Sequence, residues 1–128
     1  MSLVQQIQQQ RQKVLEKIGQ LEQVRRGSLT EQMVETVGAD GRRSQRGPYP
    51  LYTFKEAGKT ISRRISDPAQ LLLYREQIQQ GRMFQKLMAE LLRLGEALSD
   101  QAIQAEAVKK KSNSKSNNNS KRAGSSNA

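Results

Sequence analysis

The sequence predicts a mostly helical α+β protein in which two helices flank a short β-rich segment. Apolar residues recur at helical spacing over residues 2–25 and again over 68–107, whereas apolar and polar residues alternate over 49–66. Glycine and proline separate these segments. We therefore expect an antiparallel, coiled-coil-like helix pair, with a small antiparallel β-hairpin or three-stranded sheet between the helices in the chain.

The first helix is expected over residues 2–25. Its apolar side chains fall three, four or seven positions apart and so share one face: Leu3, Ile7, Val14, Ile18, Leu21 and Val24. Ser2 is a suitable N-cap because its hydroxyl can accept a hydrogen bond from a free N–H of the first turn. Gly27 is a plausible terminator.

Residues 28–37 fit two interpretations. Alternation and the β-branched residues favour a strand. Ser28 followed by Glu31 also matches a capping box at the start of a helix. Residues 38–48 contain Asp40-Gly41 and Gly47-Pro48, two turn signals, and are predicted to form a loop.

A hairpin is expected over residues 49–66. A strand over 49–55 leads to a tight connection at 56–58 and a return strand over 59–66. Alternation places Tyr52 and Phe54 on one face, where they are expected to pack with Ile61 and Ile65.

A long helix is predicted over 68–107. Asp67 is a preferred N-cap and Pro68 suits the first helical position. The apolar stripe shifts near Gly81 and continues in a seam with coiled-coil spacing: Leu87, Leu91, Leu94 and Leu98. The seam is expected to serve as core or as an oligomer interface. We therefore expect a single domain over 1–108, followed by a disordered basic low-complexity tail over 109–128.

The composition excludes several kinds of chemistry. The chain has no cysteine and no histidine, which excludes disulfides, thiolate ligands and imidazole bases. Gly58-Lys59-Thr60 lacks the upstream glycine of a phosphate-binding loop and lies in the expected hairpin. We therefore predict no enzyme activity, no catalytic residues, no metal and no cofactor.

Localisation is predicted from the absence of long apolar runs in the sequence. No run approaches the roughly 20 residues that span a bilayer, and the N-terminus lacks the apolar core of a signal peptide. The sequence predicts a cytoplasmic protein without a membrane partner.

The net charge of +10 favours an anionic partner. Residues 109–128 carry six cations and no anion, and residues 27–66 carry seven cations against four anions. Arginine suits bidentate phosphate contacts, and Tyr49 and Tyr52 could stack on bases. The alternative is that the aromatic residues form the hairpin core and the cations a solvated face. The predicted nucleic-acid-binding residues are Arg42, Arg43, Arg46, Lys59, Arg63 and Arg64.

Several short motifs occur in a recognisable order between Arg25 and about Ala97. They are Arg26-Gly27-Ser28-Leu29, Glu31-Gln32, Gly38, Gly47-Pro48-Tyr49, Gly58-Lys59-Thr60 and Tyr74. In this pattern the chain resembles a family of small, uncharacterised prokaryotic proteins often encoded beside transposases. That family usually has loop cysteines near Gly38, which this chain lacks, so the resemblance implies no metal here.

The resemblance favours DNA over RNA as the partner. The sequence therefore predicts a non-enzymatic nucleic-acid-binding accessory protein, which the resemblance associates with a mobile element. The alternative is a coiled-coil interaction module or homodimer, with the leucine seam as its interface and no nucleic-acid role.

Overall fold

A computed structural model of the chain describes residues 1–116. It contains, in order, α1 (Leu3–Gln20), β1 (Ser28–Val37), β2 (Arg43–Glu56), β3 (Lys59–Arg64) and α2 (Pro68–Ser116). The predicted α+β class is confirmed, with the sheet between the helices in chain order. The chain divides into two compact units. We call residues 17–88 the sheet unit, and residues 1–16 with the chain from 89 onward the terminal unit.

Both helices begin at the caps that the sequence predicted. The Gln5 N–H donates to Ser2 Oγ at 3.1 Å and the Ser2 N–H donates to Gln5 Oε1 at 3.1 Å, which is a reciprocal capping box. At α2 the Ala69 N–H donates to Asp67 Oδ1 at 2.9 Å. Each cap satisfies an N–H group that the first turn leaves without a helical partner.

The end of α1 comes earlier than predicted, at Gln20 rather than near residue 25. The segment after the helix lies against α2, where the Arg25 N–H donates to the Gln77 carbonyl at 2.9 Å. Gly27 then turns the chain into β1 with φ +104°, in the left-handed region that glycine adopts readily. Tertiary contact therefore overrides the helical pattern of residues 21–25.

The sheet is antiparallel, with strand order β1-β2-β3. Ser28 pairs with Thr53, so residues 28–37 form a strand and not a capped helix. The predicted loop over 38–48 is wrong for residues 43–48, which belong to β2. Gly47-Pro48 is accommodated as a bulge, because the register shifts opposite it and Gly47 has φ +125°.

The predicted hairpin between β2 and β3 is confirmed. Ala57 and Gly58 connect the strands with φ of 50° and 79°, as a two-residue hairpin turn of the I′ type requires. The return strand ends at Arg64, and the Ile65 N–H then donates to the Pro50 carbonyl at 3.0 Å.

The core of the sheet unit lies between one face of the sheet and α2. Tyr52, Ile65 and Ile78 are buried, and four partly buried side chains pack against them: Leu29, Phe54, Leu71 and Tyr74. The predicted packing of Tyr52, Phe54 and Ile65 is confirmed. Ile61, also predicted there, is 36% exposed because it lies on the edge strand β3, where every residue is exposed.

Helix α2 is longer than predicted and changes its buried face near Gly81. It continues to Ser116, so the first part of the predicted tail over 109–128 is helical, and residues 117–128 lie outside the described residues. Leu87 lies nine residues after Ile78, about two and a half turns, so these two buried residues occupy opposite sides of the helix. The predicted shift of the apolar stripe is confirmed.

The terminal unit has its own buried apolar side chains. Ile7 and Val14 of α1 and Leu94 of α2 are each less than 9% exposed. Val4 also lines a shallow groove together with Ala105 and Val108.

Candidate nucleic-acid interface

The two faces of the sheet differ in charge. Residues opposite each other in an antiparallel pair share a face, and neighbours along a strand alternate. Tyr52 packs with Ile78 of α2 and so defines the helix-side face. Glu31 pairs with Pro50, two residues from Tyr52, which places Glu31 on this face. By the same alternation Glu35 and Glu56 lie there too. All three carboxylates of the strands are therefore on the helix-side face.

The opposite face, which we call the open face, has no carboxylate. It carries three cations, seven serine or threonine hydroxyls and one aromatic ring, and none of its side chains is buried. From the register its residues are Ser28, Thr30, Gln32, Val34, Thr36, Ser44, Arg46, Tyr49, Leu51, Thr53, Lys55, Thr60, Ser62 and Arg64. This face combines hydrogen-bond donors with uncompensated positive charge.

Several side chains of the open face contact one another across the strands. The Arg64 guanidinium lies 4.0 Å from the centre of the Tyr49 ring, a cation–π geometry that fixes both side chains. The Thr36 and Ser44 hydroxyls are 2.7 Å apart. These contacts link neighbouring strands and hold polar groups on the outer surface.

The register separates the six residues that the sequence predicted to bind nucleic acid. Arg46 and Arg64 lie on the open face, whereas Arg43, Lys59 and Arg63 lie on the helix-side face. Arg42 follows the turn between β1 and β2, 3.6 Å from Asp40. Arg43 lies 3.7 Å from Glu35.

Position along β2 separates them further. Arg43 begins β2, and Lys59 is opposite Glu56 at its other end, on the order of 40 Å of extended chain away. The six cations are therefore not one patch. Lys55, which was not among them, shares the open face with Arg46 and Arg64. The alternation of side chains along paired strands could have shown which cations share a face. Using that alternation requires the register that pairs the residues of one strand with those of the next.

Beyond the reach of β3, the first two strands continue as a two-stranded ribbon. The last residue of β3, Arg64, pairs with Leu51, so residues 32–37 and 43–49 pair only with each other. The side chains of Arg42 and Arg43 are 89% and 79% exposed. A ribbon of this kind has the width that the major groove of DNA admits.

Two arginines just before β1, which the sequence analysis did not assign to a site, bind the chain there to α2 and to β2. The Arg25 guanidinium lies 4.4 Å from the Tyr74 ring centre, and its Nε donates to Gln77 Oε1 at 2.9 Å. Arg26 lies over Phe54 and forms an ion pair with Glu56, while its carbonyl accepts a hydrogen bond from the Tyr52 hydroxyl. Arg25 is therefore partly buried against the core of the sheet unit, whereas the Arg26 side chain lies at the edge of that core and is 55% exposed.

A cleft of about 490 Å³ lies between β1, β2 and α2. Its walls combine apolar side chains with two arginines and one carboxylate. They are Leu29, Thr30, Glu31, Pro50, Leu71, Arg75, Ile78, Gln79 and Arg82. Sequence reasoning missed this cleft, although Leu71, Arg75, Ile78 and Arg82 follow helical spacing and so share one side of α2.

Residues 1–116 contain neither a cluster of metal-ligating side chains nor a membrane-spanning helix. No group of three acidic residues there could hold a metal ion. No helix in this part of the chain is long and apolar enough to cross a membrane.

The chain belongs to the family described as Domain of unknown function (DUF6788), whose model matches residues 4–80. The match runs from α1 through the whole sheet to the part of α2 that packs on it. The predicted resemblance to an uncharacterised family is confirmed at this level. No curated protein and no solved structure matches the chain.

Proposed function

We propose that the chain is a non-enzymatic nucleic-acid-binding protein that contacts phosphates through the open face of its sheet. One observation carries this proposal. Every carboxylate of the three strands lies on the helix-side face, which leaves Arg46, Lys55 and Arg64 without an acidic neighbour on the open face. Such a distribution attracts a polyanion to one face of the molecule.

The chemistry of the open face suits the nucleic-acid backbone. Arginine and lysine neutralise phosphates, and serine and threonine hydroxyls donate hydrogen bonds to phosphate oxygens. Tyr49 adds a ring on which an unpaired base can stack, and Arg64 already lies against that ring. The two-stranded ribbon supports DNA over RNA, because the A-form major groove is too narrow for such an element.

The cellular setting is part of the same proposal. An accessory role beside a transposase rests on the motif resemblance, and a cytoplasmic location rests on the sequence. Neither is needed for the binding experiment.

The proposal is tested by comparing two variants with the same change in charge. In R46Q/K55Q/R64Q the open face loses its cations; in R43Q/K59Q/R63Q the helix-side face loses three. Each set also removes one arginine that stacks on an aromatic ring, Tyr49 or Phe54 respectively. Binding to single- and double-stranded DNA and RNA is measured by gel shift over a range of salt concentrations.

Log affinity falls as log salt concentration rises. We expect the open-face variant to reduce the magnitude of this slope by about 2–3, because up to three phosphate contacts are lost. The helix-side variant should change the slope much less. Equal losses in both variants would mean that only net charge matters. Absence of binding at low salt by the wild-type chain would end the proposal.

The leucine seam supports a role within the chain. In the terminal unit of a single copy Leu94 is buried and Leu91 and Leu98 are half-buried; Leu87, which is also buried, belongs to the sheet unit. We propose that the end of α2 pairs antiparallel with α1 in a coiled-coil-like manner inside the terminal unit. The seven-residue interval between the buried Ile7 and Val14 supports this pairing. A seam covered in this way does not favour the alternative of a dimer built on these leucines.

A further inference from the structure

Strand β1 presents a long unpaired edge. It lies at the end of the order β1-β2-β3, and in the described part of the chain no strand pairs with its outer side. It has ten residues and no cation. The other edge strand, β3, has six residues, of which Lys59, Arg63 and Arg64 are basic. Short, cationic edges resist strand addition, whereas a long edge without cations is open to it.

The cleft between β1 and α2 lies beside this edge. Leu29, Leu71 and Ile78 contribute apolar surface to it. Arg75 and Arg82 contribute two positive charges, against one carboxylate from Glu31 of the same copy. Among the described residues neither arginine has a carboxylate within ion-pairing distance. An occupant of this site would be an extended segment that places apolar and acidic side chains alternately on the side facing α2.

The chain itself carries such a segment. The helix-side face of β1 reads Leu29, Glu31, Met33, Glu35 and Val37, in which apolar and acidic residues alternate. Met33 and Val37 are 50% and 66% exposed in a single copy, so this pattern is partly uncovered.

We infer that two copies of the chain associate through antiparallel pairing of their β1 edges. Each copy's acidic positions would then lie beside Arg75 and Arg82 of the other copy. The inference rests on the edge, the cleft and their charges, and is independent of nucleic-acid binding.

The symmetry of the pairing permits a register without charge repulsion. A two-fold axis through Gln32 sets Leu29 opposite Glu35 of the other copy, and Glu31 opposite Met33. Facing residues lie on the same side of the joined sheet, and no two carboxylates are directly opposed. The same patch of each copy contacts the other, as a two-fold interface requires. The result is one six-stranded antiparallel sheet.

Charge reversal with mixing tests the pairing. E31R/E35R sets arginines against arginines across the interface, and R75E/R82E sets glutamates against glutamates. Each variant alone should have a dimer dissociation constant at least about tenfold higher than that of the wild type. In an equimolar mixture opposite charges meet on both sides of the two-fold axis, so the dimer should form again. Sedimentation velocity of the full chains, free of nucleic acid, measures the masses.

A control variant, E96R/E106R, carries the same charge change as E31R/E35R in the second half of α2 and should remain dimeric. Recovery of the dimer on mixing also shows that both charge-reversed variants are folded. A monomeric wild type at high micromolar concentration overturns the inference. So does a dimer that persists in both separate variants, or a mixture that stays monomeric.

Discussion

Gly81 shows how a single residue determines where two segments meet. A Cβ atom added there would overlap the carbonyl group of Arg25 and lie 3.1 Å from its nitrogen. At this point Arg25 also bonds to Gln77 through both its main chain and its side chain. The missing side chain therefore lets the segment before β1 lie directly on α2. Gly95, in the same helix, has no other atom within 4 Å of the corresponding position.

This difference predicts opposite effects for one substitution. Gly81→Ala should lower the free energy of unfolding by about 1–3 kcal/mol, because backbone has to move to make room. Gly95→Ala should raise it by about 0.5–1 kcal/mol, because alanine is the better helix former and meets nothing. Urea denaturation of both variants measures the two values. Stabilisation by both would show that Arg25 does not pack closely on α2.

At the scale of elements, α2 buries two different faces along its length. Leu71, Tyr74 and Ile78 pack in the sheet unit, and the stripe that includes Leu94 lies on another side of the helix. In the sequence, this change of face is visible because the regular spacing of apolar residues shifts near Gly81. A helix that packed along its whole length against one partner helix would have kept its apolar residues in one continuous stripe.

The buried seam leads to a prediction about leucines two residues apart. Leu94→Ala should lower the free energy of unfolding by about 2–4 kcal/mol, because it leaves a cavity at a site only 7% exposed. Leu92→Ala should change it by less than about 0.5 kcal/mol, because Leu92 is 66% exposed. Thermal unfolding followed by circular dichroism compares the two. Equal effects would contradict a seam closed within the chain.

Features that depend on neighbouring residues could be predicted from the sequence, whereas features that depend on strand pairing could not. The caps at Ser2 and Asp67 and the turn at Ala57-Gly58 depend on neighbouring residues, and the sequence predicted all three. The start of β2 at Arg43 was missed because Gly47-Pro48 signals a turn, whereas pairing with β1 absorbs it as a bulge. The open face was missed for a related reason. Assigning cations on β2 and β3 to one face requires the register, which is a non-local property.

At the scale of the whole molecule, two groups of cations have no acidic residue among them. The open face holds three cations on a fixed sheet, and residues 109–128 hold six cations and no anion in sequence. Phosphate attraction by a run of lysines is independent of base sequence and strongly dependent on salt. Contacts from a folded face add a defined position and orientation. The two sources should therefore contribute to binding in different ways.

A double-variant cycle separates these contributions. Deletion of residues 109–128 should weaken binding to every nucleic acid tested by a similar factor. It should also reduce the magnitude of the slope of log affinity against log salt by up to about 5, because as many as six phosphate contacts are lost. R46Q/K55Q/R64Q should lower the slope by the same amount with or without those residues, because sites without shared partners act additively. Fluorescence anisotropy with labelled DNA and RNA at several salt concentrations gives all four affinities. If the open-face substitutions had no effect once residues 109–128 were deleted, the folded face would not bind on its own, and the charge near the C-terminus would account for the affinity of the whole chain.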